Sequence, residues 1–241
     1  MKFKTIYIIK KMNCIILTFI LLIYSFNAAK IIDNIEYIDQ TEDYPTGCES
    51  ISTIMCLHYW KINITPEDFI DNYLEKGLFY YKNGQLFAPH PSEKFVGSPY
   101  DDNSYGCYEP VIEKALNSII KKNNLNFEVK NLTNVSMDII KSEYIDNNIP
   151  VIFWATINMK PFFNGSIWIV SEGNHKGEKF QWRAREHCLL LIGYDDNNYI
   201  FHDPWENKPK YSYDKNLIEK RHAEQYSMAV ALVPKNSNNN E

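Results

Sequence analysis

Four residues of this chain have the types and neighbourhoods that acyl chemistry needs. Cys48 follows Tyr44-Pro45-Thr46-Gly47, which breaks regular backbone, and precedes a stretch in which Ile51, Ile54, Met55, Cys56 and Tyr59 recur at helical spacing. The spacing predicts a helix that opens at Cys48 with one face buried, and a helix N-terminus favours the thiolate, the nucleophilic form of cysteine. Gly47 leaves room for an incoming carbonyl, and Gln40 can offer a side-chain N–H to a developing oxyanion, with the Cys48 backbone N–H as the second donor. His187 leads the apolar run Cys188-Leu189-Leu190-Leu191-Ile192-Gly193, so a base sits at the mouth of a strand. Asp203 closes the next strand, where a hairpin can bring its carboxylate to the imidazole, fix the tautomer and stabilise the imidazolium. A free cysteine is more often a small buried hydrophobe, and it is these partners that single out Cys48.

The hairpin carries a parity condition. Side chains alternate faces, so His187 and Asp203 share one only if directly paired residue numbers sum to an even number. A two-residue turn at Asp196-Asn197 pairs Asp195 with Asn198 and makes the sum odd. The sequence therefore demands an odd loop, Asp195 to Asn197, pairing Tyr194 with Asn198, or a bulge, with Asn197 or Asn198 in the left-handed region.

The elements that must position these residues follow an α+β order. Thr65-Pro66-Glu67-Asp68 reads as an N-cap with a first-turn proline, and Gly77 as the C-cap of a helix over 66–76. Residues 78–106 show no period and read as a long functional loop. Pro110 opens a helix with Val111, Ile112, Ala115, Leu116, Ile119 and Ile120 on one stripe, and a shorter helix fits 135–147. Strands are expected at 150–156, 187–194, 199–203 and 228–233. The expected architecture is thus an N-terminal helical half, with Cys48 at a helix start, and a C-terminal antiparallel sheet.

Composition narrows the class. The chain has 241 residues, 45% of them hydrophobic and 15% aromatic, enough for one domain with a real core. Lys2, Lys4, Lys10 and Lys11 precede an apolar run from Cys14 to Phe26, and Ala28 and Ala29 follow, the layout of a secretory signal over residues 1–29. The run is shorter than the roughly 20 residues that span a bilayer, which makes an uncleaved membrane anchor the weaker alternative. Removal of the segment takes away four lysines and no acid, moving the net charge from −5 to −9, a poor balance for nucleic-acid binding. No C-x-x-C pair occurs among Cys48, Cys56, Cys107 and Cys188, so neither a zinc cluster nor a disulfide scaffold is indicated. The domain is expected over 30–234, with a disordered asparagine-rich tail at 235–241.

The motifs resemble a known family. His187 to Tyr194 followed by Asn198-Tyr199-Ile200-Phe201-His202-Asp203-Pro204-Trp205 is similar to the hairpin that carries the histidine and asparagine of papain-like peptidases, with Asp203 where those have Asn. Tyr44 to Ser50 with Gln40 upstream, Gly106-Cys107-Tyr108, Pro150-Val151-Ile152 and Glu186-His187-Cys188 resemble the bacterial C-39-like cysteine peptidases, relatives of the bacteriocin leader peptidases. The resemblance covers most of 36–206. It implies a papain-like fold and peptide-bond hydrolysis; with the signal layout and the chemistry of the candidate residues, the expected protein is a secreted enzyme that acts through a thioester and needs no cofactor or metal. Carried over, it makes Cys48 the nucleophile, His187 the base, Asp203 the orienting group and Gln40 the oxyanion donor.

The expected partner is a peptide or protein substrate, with no nucleic acid and no membrane contact beyond the signal segment. Competing readings are an acyl transferase on the same fold, transglutaminase- or transpeptidase-like, and a catalytically silent peptide-binding protein. Cell-wall endopeptidases of the NlpC type are a further comparison, though they commonly use a second histidine where Asp203 stands. Cys188 and His202 neighbour the reactive residues, but strand alternation turns both to the other face and makes them core. The tryptophans Trp154, Trp168, Trp182 and Trp205 are read as core before groove.

Overall fold

The protein is described here from a computed structural model covering residues 29–235. The expected signal segment, the anchor alternative and the tail fall, all but Ala29 and Lys235, outside these residues. Among the described residues no helix is long and apolar enough to cross a membrane.

The first helix, α1 (Cys48–Tyr59), starts where the sequence places it, at the nucleophile candidate. It is buried all round from Cys48 to Leu57, not along one face. Helices of this kind sit inside a domain and need partners for their polar groups. Thr53 Oγ1 donates to its own helix at Glu49 O (2.6 Å), and Ser52 Oγ to Cys188 O of the sheet (3.2 Å). The second helix, α2 (Pro66–Asn72), is capped by Thr65, which accepts from Asp68 N. It ends at Tyr73, short of the expected residue 76, because Lys76–Gly77 (β2) pairs in parallel with Phe95–Val96 (β5) and draws the chain out of the helix. The segment read as a loop thus contains β2, Tyr80–Lys82 (β3), Gln85–Ala88 (β4) and β5. In α3 (Glu109–Lys122) the predicted stripe Val111, Ile112, Ala115, Leu116 and Ile119 is buried. The stretch over 135–147 is a single turn, α4 (Met137–Ile139), continued by a π-helix, Ile140–Ile145.

The main sheet is antiparallel at every pairing, in the order β12-β11-β10-β7-β13-β6, with β1 (Lys30–Ile31) added to β10. Its strands are Phe127–Asn131 (β6), Val151–Thr156 (β7), Glu186–Tyr194 (β10), Asn198–Asp203 (β11), Lys208–Asp214 (β12) and Ala229–Pro234 (β13). β7 is buried at all its residues and β10 from His187 to Gly193, because helices cover the centre of the sheet. α1 packs along β10 and β7, and α5 (Lys215–Glu224) along β7, β12 and β11, where the His222 ring stacks on Phe153 at 3.9 Å. A second sheet, β3-β4-β8-β9, includes Phe163–Val170 (β8) and Lys179–Ala184 (β9). The expected helical N-terminal half is therefore a mixture of helices and short strands, while the antiparallel C-terminal sheet matches expectation.

β1 reaches β10 by a close approach. A Cβ at Gly193 would stand 2.3 Å from Lys30 O and 3.0 Å from Ile31 Cα. Gly193→Ala is therefore expected to push β1 off the sheet and cost about 1–3 kcal/mol, the usual range for overpacking. Urea unfolding measures this, and an unchanged midpoint would show that the β1–β10 contact contributes nothing.

Candidate active site

Cys48 is positioned from the turn that precedes it. Gly47 N donates to Tyr44 O (2.8 Å), and Thr46 Oγ1 to Ser98 O and Asp101 O. A side chain at Gly47 would meet Tyr44 Cβ at 2.8 Å and Pro99 Cβ at 3.3 Å. The glycine thus makes room for the turn itself, where the sequence suggested room for a substrate carbonyl. Gln40 is buried beneath the same turn. Its Nε2 donates to Tyr44 O (3.2 Å) and Pro45 O (3.3 Å), and its backbone N–H to Pro204 O just past β11. Both amide hydrogens are engaged in the turn, so an oxyanion would have to draw one of them away. Gln40 Oε1 is buried without a partner.

His187 and Asp203 come together as the parity condition requires, by the bulge. The turn gives the odd register, with Tyr194 opposite Tyr199 and Gly193 opposite Ile200. Ile192 is then skipped, and Leu191 lies opposite Phe201 and Leu190 opposite His202. One unpaired residue restores the even sum and puts His187 and Asp203 on one face. The expected three-residue loop is absent, and none of residues 195–198 has a positive φ. The turn is held by Asp195 Oδ1, which accepts the backbone N–H groups of Asn197 and Asn198 at 2.8 Å, so no left-handed residue is needed.

His187 Nε2 and Asp203 Oδ1 are 2.7 Å apart, and both residues are buried. Asp203 also accepts from Tyr213 Oη (2.6 Å) and from Trp205 N (3.0 Å). Burial opposes its charge, but His187, Tyr213 and the Trp205 N–H outweigh that and hold the carboxyl below its ordinary value. His202 is turned the other way, bonded to Ile35 O and accepting from Lys210 N.

Cys48 and His187 are not hydrogen-bonded to each other; the thiol bonds instead to Glu49 Oε2 at 3.3 Å. The other oxygen of Glu49 accepts the Cys107 N–H at 2.5 Å. Glu186 closes this group: Cys48 Sγ and one oxygen each of Glu49 and Glu186 lie within 4.8 Å of one another. These are metal-type donors, but both oxygens of Glu49 are already taken by N–H and S–H. Gly106 is the floor of the cluster, since a Cβ there would lie 2.7 Å from Glu49 Oε1 and 2.8 Å from Glu186 Oε2. Burial raises the Glu49 pKa to about 7 against the Cys107 N–H, the Cys48 hydrogen bond and the His187 charge, which lower it. Glu186 is also pushed well above its ordinary value, by burial and then by the Glu49 charge. Burial first, and the two carboxylates second, push the Cys48 thiol well above its ordinary value. That is the reverse of what a helix N-terminus alone would do.

The carboxyl pair was not singled out from the sequence. Its signal is that a glutamate adjoins each reactive residue, in Cys48-Glu49 and Glu186-His187. The four cysteines of the described residues are free and buried. Trp154, Trp168 and Trp182 are core, Trp168 and Trp182 beside Tyr105, while Trp205 is half-buried at the end of β11.

Comparison with known proteins agrees with this frame. No curated protein matches the chain. The crystal structure of a candidate C39-like peptidase from Bacillus anthracis matches with a TM-score of 0.72 at 22% identity, over 88% of this chain and 100% of that one, which establishes a shared fold. The peptidase domain of Streptococcus ComA, a bifunctional ABC transporter involved in quorum sensing, matches at TM-score 0.43 and 14% identity, over 86% of this chain and 100% of that one, too distant to carry an argument. A family model, the Peptidase_C39 like family, matches residues 32–230, and the chain belongs to that family.

Proposed function

We propose that this protein is an exported cysteine peptidase that hydrolyses peptide bonds in a peptide or protein substrate, with Cys48 as nucleophile, His187 as base and Asp203 as its orienting partner. The observation that carries the reading is the buried His187–Asp203 hydrogen bond of 2.7 Å, with Tyr213 and Trp205 N holding the carboxylate from behind. An imidazole held this way at Nε2 has its Nδ1 as the working nitrogen. Membership of the family and a helix that begins at Cys48 support the peptidase chemistry and its nucleophile, while export is inferred from the layout of residues 1–29.

In this mechanism the thiol proton passes to His187 and the thiolate attacks the substrate carbonyl. The Cys48 backbone N–H, at the start of α1, stabilises the oxyanion. The imidazolium then protonates the leaving amine as the C–N bond breaks, which leaves a thioester on Cys48. Water, deprotonated by His187, attacks the thioester, and the acid product leaves with the thiol restored.

A broad peptide library incubated with wild type and Cys48→Ala tests the reaction, with cleavage products expected from the wild type alone. Cys48→Ser should retain less than about one part in a hundred of the activity, because a hydroxyl of far higher pKa cannot replace the thiolate. Clear retention in a clean preparation would remove Cys48 from the mechanism. Asp203→Asn should be milder than His187→Ala by about tenfold or more in kcat/KM, since an amide still accepts from the imidazole N–H. Equal losses would show that the carboxylate charge matters more than its geometry.

Gln40→Ala separates two roles. It removes donors from two carbonyls of the turn, so the melting temperature should fall together with the rate, by about 1–3 kcal/mol of stability. A slower enzyme of unchanged stability would instead mark Gln40 as a donor to the oxyanion alone.

A further inference from the structure

The cluster beside Cys48 bears on how the thiol is kept and released. Glu49 comes from the first turn of α1, Glu186 from the first residue of β10, and the Gly106-Cys107 backbone packs on both. Glu186 Oε1 is buried without a hydrogen-bond partner, which suits a protonated carboxyl better than a carboxylate. Two carboxyls this close and this dry do not both ionise near neutral pH, and they titrate as a pair.

Building on the peptidase reading, we propose that Glu49 is a catalytic residue that accepts the Cys48 S–H, and that the Glu49–Glu186 pair sets whether the thiolate can exist, arming the site when both carboxyls are protonated and disarming it when Glu49 is ionised.

In the disarmed site Glu49 is a carboxylate and accepts the Cys48 S–H bond seen here. One proton from solvent is then taken up on Glu49, forming an O–H bond. The Cys48 S–H bond breaks, its proton forms an N–H bond on His187, and the electron pair stays on sulfur. The Glu49 O–H now donates to the thiolate, so a hydrogen bond that held the thiol neutral is reversed into one that stabilises the anion. Nothing is oxidised or reduced.

The groups that face the pair come from three elements. α1 supplies Cys48, the segment before α3 supplies Cys107 and Tyr108, and β10 supplies His187 and Cys188. Of these His187 is the one that can become a cation, and its charge pulls the Glu49 pKa down, while burial of Glu49 pulls it up to about 7. Protonation in the armed state therefore puts the positive charge where Asp203 already compensates it.

The test is the rate of Cys48 alkylation by iodoacetamide in the whole chain, located by peptide mapping, between pH 5.5 and pH 8.5. It compares wild type, Glu49→Gln and Glu49→Gln/Glu186→Gln. An ordinary thiol slows steadily as pH falls. In the wild type the Cys48 rate should rise severalfold as pH falls through about 7. The double variant should lose that rise and react on the order of tenfold faster than wild type at pH 8, where Glu49 would otherwise be charged.

Thermal melting gives a second readout. A carboxyl whose folded pKa is raised from 4.5 to about 7 binds a proton that the unfolded chain has released, so wild-type stability should fall as pH rises through that window. The double variant should be flatter. If it gives no cooperative melt, Glu49→Gln alone carries the comparison, since its amide oxygen still accepts from Cys107 N. Wild-type alkylation that falls with pH like a free thiol, a Cys48 that reacts at no pH in any of the proteins, or variants with the wild-type profile would overturn the proposal. A chain that cleaves no peptide but shows this alkylation profile would sink the peptidase reading and leave the carboxyl pair standing; a peptidase with an unchanged profile in the variants would do the reverse.

Discussion

The hydrogen bond between His187 and Asp203 depends on one unpaired residue. Without the bulge at Ile192, the register set by the Asp195–Asn198 turn would continue and carry Asp203 to the face opposite the imidazole. Much of the surrounding structure secures that bulge and its consequence. Ile192 O accepts from Ile32 N at 2.8 Å, so β1 is bonded along the disturbed stretch, and Gly193 gives β1 the space to lie there. Further along, a second irregularity between Phe201 and Asp203 in the β11–β12 pairing accompanies the turn of the chain at Pro204. Tyr37 O–H donates to Asp203 O and accepts from Lys208 N, which ties the segment before α1 to the end of the hairpin.

Two electrostatic influences compete at Cys48, and their sizes decide the outcome. A helix N-terminus stabilises an anion by at most about 2 kcal/mol, or roughly one and a half pKa units. Full burial moves an ionisable group by up to about 3–5 units, and neighbouring carboxylates add to that for a thiol. Burial and the carboxyls win, so the thiol of the resting site is neutral and bonded to Glu49. On this account a site that sets its nucleophile against two acids is not a misplaced papain-like dyad but one whose reactivity is tied to the protonation of its neighbours.

The sequence made the site legible wherever a residue's job shows in its immediate neighbours. The helix start at Cys48, the strand led by His187 and the need for a parity correction before Asp203 all follow from local pattern. Glu49 and Glu186 did not stand out, because their partnership is made by α1 and β10 meeting over Gly106, a long-range contact that local spacing does not encode. Gln40 stands out in the sequence, but its hold on the turn through Tyr44 O and Pro45 O is a contact that its neighbours in sequence do not reveal. Elements outside the site were missed for the opposite reason, a weak pattern. α5 buries Arg221 and His222 beside Ile218 and so carries no apolar stripe, β12 is an exposed edge rich in tyrosine and lysine, and β8 is interrupted at Gly165 by a register shift.

A cysteine peptidase of this kind must carry the acyl group of its substrate on Cys48 during turnover. The direct measurement is acid quenching of the enzyme in the first moments of reaction with a cleavable peptide ester, followed by intact mass and peptide mapping. A mass increase equal to the acyl portion of the substrate, located on Cys48, lost with time and absent from Cys48→Ala and His187→Ala, is the predicted result. Turnover without an adduct on Cys48, or an adduct on Cys107 or Cys188 in its place, would contradict it.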